Sequence, residues 1–326
     1  MNILINSINC GLGNQGGTYS IIMSANILTE LGHNVTIIDT VKNQHTWVPL
    51  KANHKIIKNK KDVPNSDVII ATGFNTYENT INLPDRCGKK FVWVRGFELW
   101  KASENNLVKI LSNNKINKIV NSIGLQKKLE QYNIKSNVIY PGYDFDKLYP
   151  LNIRSDKKII IGGLYNTRHI TKRTEWIINA FNFLKNNYKN LELWMFGTNK
   201  LNNNLITKYF NQPEIKIKNE MYNNIHIWLS PSNREGLHIP PAEAMLTECC
   251  IVGVDSELCG TKDYLTKDTG FISDNNFKSF ILQIKNAIED KQSRTLFGKN
   301  GRSKILKIGD RKTNMEKMIN LFKESI

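Results

Sequence analysis

The sequence is short of arginine: nine of its 45 basic residues are Arg and the rest are Lys. It is short of cysteine too, with Cys10, Cys87, Cys249, Cys250 and Cys259 irregularly spaced and no CxxC pair. That excludes a disulfide framework and a zinc site, and predicts reduced thiols in buried structural positions. No apolar run approaches the ~20 residues of a membrane span. The six histidines, His33, His45, His54, His169, His226 and His238, are scattered without metal-ligand spacing, so no metal is expected. No basic n-region and apolar h-region precede the strand-like run Met1 to Ile5, so no signal peptide is expected.

What is present is globular material. The 326 residues are 40% hydrophobic and 9% aromatic, enough for two domains with real cores. The formal charge is +16, carried as +7 over residues 1–150 and +9 over 151–326, so it is a diffuse field rather than one basic arm. Such a field suits nucleic acid, an anionic membrane surface or an acidic small substrate. The abundance of Lys, Asn and Ile is also what an AT-rich coding sequence produces, and that origin accounts for part of the charge equally well.

Along the chain, a short apolar run at Asn2 to Ser7 leads into a loop with Gly11, Gly13, Gly16 and Gly17. A helical pattern from Ser20 to Leu31 ends at Gly32, and a second strand at Val35 to Ile38 closes on Asp39. Strand, glycine loop, helix, strand is the opening of a parallel α/β sheet. Further buried strands are expected at Val68–Ala71, Phe91–Val94, Lys118–Asn121 and Asn137–Tyr140. The stretch from Pro141 to Asp156 is rich in Pro, Gly and charge and reads as a linker. A second series then starts at Lys158–Ile161, followed by Gly162-Gly163, a helix over Thr174–Asn186, and strands at Glu192–Phe196, Ile225–Ser230 and Cys250–Val254. Helices are expected at Asn276–Asp290 and Thr313–Lys323. Two halves on one plan imply two Rossmann-like domains with a cleft, and ligands beyond the carboxyl ends of the strands.

The spacing Gly11-x-Gly13-x-x-Gly16 with Asp39 after the second strand also matches a weak dinucleotide fingerprint, so a dehydrogenase stays open at this point. The richest stretch is Ser230 to Met245. Two glutamates, Glu235 and Glu243, lie eight positions apart. Glu235 sits in a Gly/Pro loop after a strand, and Glu243 in the first turns of the next helix, with Pro240 or Pro241 near its start. Such a loop aims backbone N–H groups and the positive end of a helix at an anion. A carboxylate there can accept two hydroxyl hydrogen bonds from a ribose or hexose diol. The plain alternative for Glu243 is a helix-start glutamate favoured by the dipole.

This stretch resembles the paired-glutamate motif of the retaining glycosyltransferases of the large GT4 family, roughly S-x-x-E-G-x-x-x-P-x-x-E-A-M. Ser232, Glu235, Gly236, Pro240, Glu243, Ala244 and Met245 fall in register. Leu193 to Gly197 resembles the family's strand-glycine element, and Val138 to Asp144 with Leu148-Tyr149-Pro150 resembles its interdomain segment. Asn121-Ser122 followed by Leu125 and Leu129 is similar to a further element of the first domain. The resemblance spans essentially the whole chain and is stronger in the second half.

What it implies is the GT-B fold: α/β, two Rossmann-like domains facing each other across a cleft. Residues 1–150 would bind the acceptor and 151–309 the nucleotide sugar, with the helix in 310–326 packing back on the first domain. Glu243 would hold the ribose hydroxyls. Glu235 would contact the transferred sugar and orient the diphosphate. Gly236, Leu237 and His238 would offer N–H groups to the donor, and the glycine loop, through Gly16 and Gly17, would admit it close to the backbone. A basic pair, Lys172 with Arg168, would stabilise the leaving diphosphate; the Arg168 spacing departs from the family pattern. As a basic helix start, Lys172 and Arg173 would be disfavoured by the dipole, which points to an anion partner. Many relatives carry a His in the first domain near the reacting sugar. No His stands in the corresponding stretches here, and Arg95 and Glu98 are the residues placed to touch sugar or acceptor, an ion pair being the alternative. Trp93 and Trp100 read as packing.

The implied reaction is metal-independent transfer with retention from a UDP- or GDP-linked sugar, with no other cofactor and no stable protein partner. The acceptor is left open: a cell-envelope glycan or membrane lipid-linked acceptor, hydroxymethylated DNA as in phages, or nothing at all if the chain is a non-catalytic nucleotide- or nucleic-acid-binding module. The intact Glu235 and Glu243 argue against the last. The implied location is cytoplasmic, peripheral at the inner membrane face, or the host cytoplasm for a phage protein.

Overall fold

The computed structural model describes residues 1–326, the side chains of Leu258 and Cys259 excepted. The chain forms two compact units, residues 1–142 with 310–326, and residues 143–309.

In the first unit β1 (Asn2–Asn6), α1 (Gly16–Glu30), β2 (Asn34–Asp39), β3 (Asn53–Ile56), β4 (Val68–Ala71), α2 (Phe74–Ile81), β5 (Lys89–Val94), α3 (Glu104–Leu111), β6 (Asn117–Val120), α4 (Ile123–Glu130) and β7 (Asn137–Val138) alternate along the chain. The sheet is ordered β3-β2-β1-β4-β5-β6-β7, and every adjacent pair is parallel. Strands covered on both faces need unbroken apolar runs, and β4 is buried at all four residues. Order reverses between β1 and β4, the switch point at which such sheets leave room for ligands.

The second unit holds β8 (Ile159–Tyr165), α5 (Thr174–Leu184), β9 (Leu191–Gly197), β10 (Lys208–Asn211), α6 (Ile215–Asn224), β11 (Ile227–Ser230), β12 (Arg234–Glu235), α7 (Ile239–Leu246), β13 (Cys250–Val254), β14 (Leu258–Cys259), β15 (Gly270–Ser273), α8 (Phe277–Glu289) and α9 (Lys291–Ile308). Its main sheet is ordered β10-β9-β8-β11-β13-β15 and is again parallel; β12 and β14 form a separate two-residue ribbon. The last helix, α10 (Arg311–Ser325), belongs to the first unit. Its Met315, Met318, Ile319 and Phe322 join the core beneath β1 and β5, with Phe322 and Phe91 rings 4.8 Å apart.

Two parallel sheets with helices are the α/β class read from the sequence, with local corrections. Gly16 and Gly17 open α1 instead of ending the loop, because the Gln15 carbonyl already accepts from Tyr19 N–H. Gly162-Gly163 lies inside β8 rather than after it. Added Cβ atoms would fall 2.5 Å from Ile225 and 2.6 Å from Ile177, so the pair lets helix-side residues press onto the strand. The linker is packed down: Tyr143 and Leu148 are buried, and Asn219 and Asn223 side chains accept from the N–H of Tyr149 and Leu151. Cys87, Cys249 and Cys250 are buried as expected, but Cys10 is exposed, because the loop after β1 lifts it off the sheet. Cys259 lies outside the described side chains.

Candidate functional site

Three segments leave the carboxyl ends of β8, β11 and β13 in the second unit, and the middle one carries the paired glutamates, Glu235 in β12 and Glu243 in α7. Glu235 is set by β12, registered opposite Cys259 of β14. Its Oε1 accepts from Lys172 Nζ at 2.5 Å and lies 3.4 Å from His238 Nε2. Burial works to raise the Glu235 pKa, but its two basic neighbours, His238 through Nε2 and Lys172 through its charge and hydrogen bond, outweigh it and the carboxyl is held below its usual range. Burial in turn pushes the His238 imidazole down to about 4, so at ordinary pH that ring is neutral and Lys172 is the cation beside Glu235.

His238 is the N-cap of α7 in the left-handed region, φ 58°. Three contacts hold that conformation: its Nδ1 lies 3.0 Å from Ser230 Oγ, its carbonyl accepts from Tyr264 OH at 2.6 Å, and Pro240 follows in the first turn. A neutral ring aiming Nε2–H at Glu235 accepts the Ser230 hydroxyl at Nδ1. The loop thereby delivers residues 236–238 to the positive end of α7. Gly260 backs it: a Cβ there would fall 1.8 Å from the Gly236 carbonyl oxygen. Gly260→Ala is expected to push the loop aside, lowering stability by about 1–3 kcal/mol and weakening nucleotide binding. Urea unfolding and calorimetry check both.

Glu243, farther along α7, is buried at 3% exposure. Its Oε2 accepts from Lys218 Nζ at 2.5 Å and from Tyr222 OH at 3.0 Å. Lys218 and Tyr222 are four apart on α6 and so share one face. Each glutamate is thus held by a lysine from another element, at one end of the sheet.

Lys172 closes the short turn before α5, and Arg173 after it takes the left-handed region, φ 50°. Arg173 is bound away from the cluster, donating to Asn275 Oδ1 at 2.5 Å and lying over the Trp176 ring at 4.2 Å. The Asn233 N–H donates to the Thr171 carbonyl at 3.2 Å, tying the Lys172 turn to the Glu235 loop. Arg168 is not brought in: it is exposed, its N–H donates to Asn166 Oδ1, and among the described residues its guanidinium holds no carboxylate.

The other expected residues lie in the first unit. Gly16 and Gly17 are exposed, and a Cβ added at either would meet no atom within 4 Å, so open space borders their backbone. Arg95 Nη1 donates to the Gly17 carbonyl at 2.7 Å, and Glu98 accepts from Phe74 N–H at 3.3 Å. These two side chains tie the chain after β5 to the first turns of α1 and α2. Burial lowers Arg95 to about 10, although Glu98 opposes it. Asp39 is fully buried and its Oδ1 accepts from Thr40 N–H at 2.7 Å, so it is not presented to a nicotinamide nucleotide's ribose. Trp93 is core, and Trp100 is exposed. Lys218, Tyr222 and Tyr264 are not expected from the sequence. The i, i+4 pair on α6 is the one available signal, hidden among many Lys and Asn.

Two buried imidazoles give a pH prediction. His226 and His238 both fall from 6.5 to about 4, chiefly through burial. The unfolded chain therefore binds more protons between those values. Stability should be full above about 6.5 and fall as pH drops towards 4, by up to about 3 kcal/mol per ring. Urea midpoints at pH 7.5, 5.5 and 4.5 check this; a flat profile contradicts it.

Residues 146–304 match the model of the family described as glycosyl transferases group 1. No curated protein matches the chain. Solved structures share its fold. Anabaena HepE, in complex with UDP-glucose, is 13% identical with a TM-score of 0.80, covering 99% of this chain and 100% of that one. A glycosyltransferase from Rickettsia africae ESF-5 is 16% identical with a TM-score of 0.79, covering 99% and 98%. Sucrose-phosphate synthase from Thermosynechococcus elongatus is 14% identical with a TM-score of 0.76, also covering 99% and 98%. The chain shares the fold of these solved structures, and its residues 146–304 carry the similarity to the glycosyl transferases group 1 family.

Proposed function

We propose that the chain moves a sugar, with retention, from a UDP- or GDP-linked donor to an acceptor hydroxyl. The observation that carries this is the pair of glutamates at one end of the second sheet, each on its own lysine: Glu235 on Lys172 and Glu243 on Lys218. Glu243 takes the ribose diol. Lys172 and the N–H groups of residues 236–238 meet the diphosphate, and Glu235 faces the sugar. The C1–O bond to phosphate breaks while the acceptor oxygen bonds C1 from the same face. The acceptor proton passes to the departing phosphate oxygen. The sugar is oxocarbenium-like in between. Fixed positive charge at the diphosphate stabilises the developing negative charge without a metal ion. That HepE was solved with UDP-glucose supports a UDP-sugar donor.

For the acceptor we favour a cell-envelope glycan or lipid-linked acceptor at an anionic membrane surface, with the first unit as its site. Lys55, Lys58, Lys60 and Lys61 are exposed on and after the edge strand β3, beside the exposed Ile56. Cations of this kind contribute about 1 kcal/mol each near an anionic surface. The test is a donor and acceptor screen by mass spectrometry, including hydroxymethylated DNA, beside binding to anionic liposomes and duplex DNA at ~150 mM salt. Sugar added to a glycan or lipid, with liposome binding, supports the reading. Glycosylated DNA transfers the assignment to a DNA-modifying enzyme. Failure to hydrolyse any nucleotide sugar makes the chain a binding module.

A further inference from the structure

We propose that the second unit carries an anion-binding site at the amino ends of its strands, on the opposite edge of the sheet from the paired glutamates, for a small molecule bearing a phosphoryl or diphosphoryl group. A cavity of ≈ 440 Å³ opens there, within the ~300–1,000 Å³ range of small-molecule pockets. The segment before β8 supplies Arg154 and Lys158, the residue before β11 is His226, and the first turn of α9 brings Lys291 and Arg294.

The two lysines of this cluster are paired with carboxylates, the two arginines are not, and Glu248 also lines the cavity. Asp156 pairs with Lys291 at 2.7 Å out in solvent, and Lys158 pairs with Glu192 at 2.7 Å. Arg154 and Arg294 hold no carboxylate among the described residues. Arg154 donates to the Thr247 and Glu248 carbonyls at 2.9 and 3.2 Å, and Arg294 to those of Ala287 and Ile288 at 2.6 and 2.9 Å. These carbonyls end α7 and α8, so both guanidinium groups are fixed in place. The Arg154 Nε is buried with no acceptor among the described residues.

His226 adds no charge to the cluster. Its Nδ1 accepts from Ile160 N–H at 3.1 Å, and Nε2 lies 2.8 Å from the Ser155 carbonyl, which fixes the neutral tautomer. Two pinned guanidinium groups beside a neutral ring, with lysines at the rim, make a preorganised seat for a multiply charged anion; the N-terminus of α9 is already capped by Asp290, which accepts from Ser293 N–H at 2.8 Å. Helix capping alone accounts for the carbonyl contacts. It does not account for two guanidinium groups without a carboxylate lining one cavity.

The experiment is calorimetric titration of the full chain with inorganic pyrophosphate, with UDP held at saturation to fill the donor site. One pyrophosphate per chain is expected to bind. Its affinity should fall at least tenfold in the Lys158→Ala, Lys291→Ala double variant, whose rim positions leave the unliganded melting temperature unchanged. Arg294→Lys should weaken it as well, by removing the planar fork. No pyrophosphate binding, or equal affinity in wild type and variants, overturns the site. If UDP itself fails to bind, the donor reading falls, while the comparison of wild type with variants still reads this site.

Discussion

Lys172→Met is expected to lower turnover by about 10²–10³-fold, the range seen when one preorganised charge-stabilising group is removed. Lys172 is the cation 2.5 Å from Glu235, and in the proposed reaction it meets the diphosphate as negative charge develops there. Donor KM should move less than turnover, because that charge is greater in the transition state than in the bound donor. A second readout separates this role from a merely structural one. Without Lys172, burial acts on the Glu235 carboxyl with one opposing charge fewer, and its pKa should rise. If ionised Glu235 is needed, the acid limb of the pH–rate profile moves to higher pH. Initial rates against pH for wild type and variant check this. Unchanged turnover with an unmoved acid limb removes Lys172 from the chemistry.

Glu243→Ala is expected to weaken UDP binding by at least about 100-fold and to destabilise the fold. Two hydroxyl hydrogen bonds to a carboxylate contribute about 1.5–3 kcal/mol each. The loss of stability comes from Lys218, 17% exposed, whose Nζ loses the carboxylate 2.5 Å away. Breaking a buried pair from one side costs about 3–5 kcal/mol, and the partial exposure of Lys218 places this case at or below the lower end. Adding Lys218→Met should restore much of the stability and none of the affinity. Denaturant midpoints and UDP calorimetry on the three variants read the two effects apart. If the double variant regains UDP affinity, Glu243 is a structural residue.

The fold is legible where burial writes itself as composition. The strands Val68–Ala71 and Cys250–Val254 match their apolar runs residue for residue. Elements held by contacts distant in sequence are not legible. Helix α9 has few apolar residues and two glycines, and its sequence does not announce it. Gly162-Gly163 reads as a loop because the reason for it, the approach of Ile177 and Ile225, lies elsewhere in the chain.

At the site the same line holds. Glu235, Glu243 and His238 are visible because nine residues of continuous chain carry them from β12 into α7. Lys172 is visible through its position before a helix. Lys218 and Tyr222 are not, because what selects them is the packing of α6 beside α7, which no local spacing encodes. Arg168, whose spacing departs from the family pattern, lies exposed on the loop before α5.

The most direct test of the central claim is the crystal structure of the chain with UDP bound. The account predicts the ribose diol on Glu243 and the diphosphate beside Lys172 Nζ and the backbone N–H groups of residues 236–238. UDP bound elsewhere, or a diphosphate out of reach of Lys172, would contradict it.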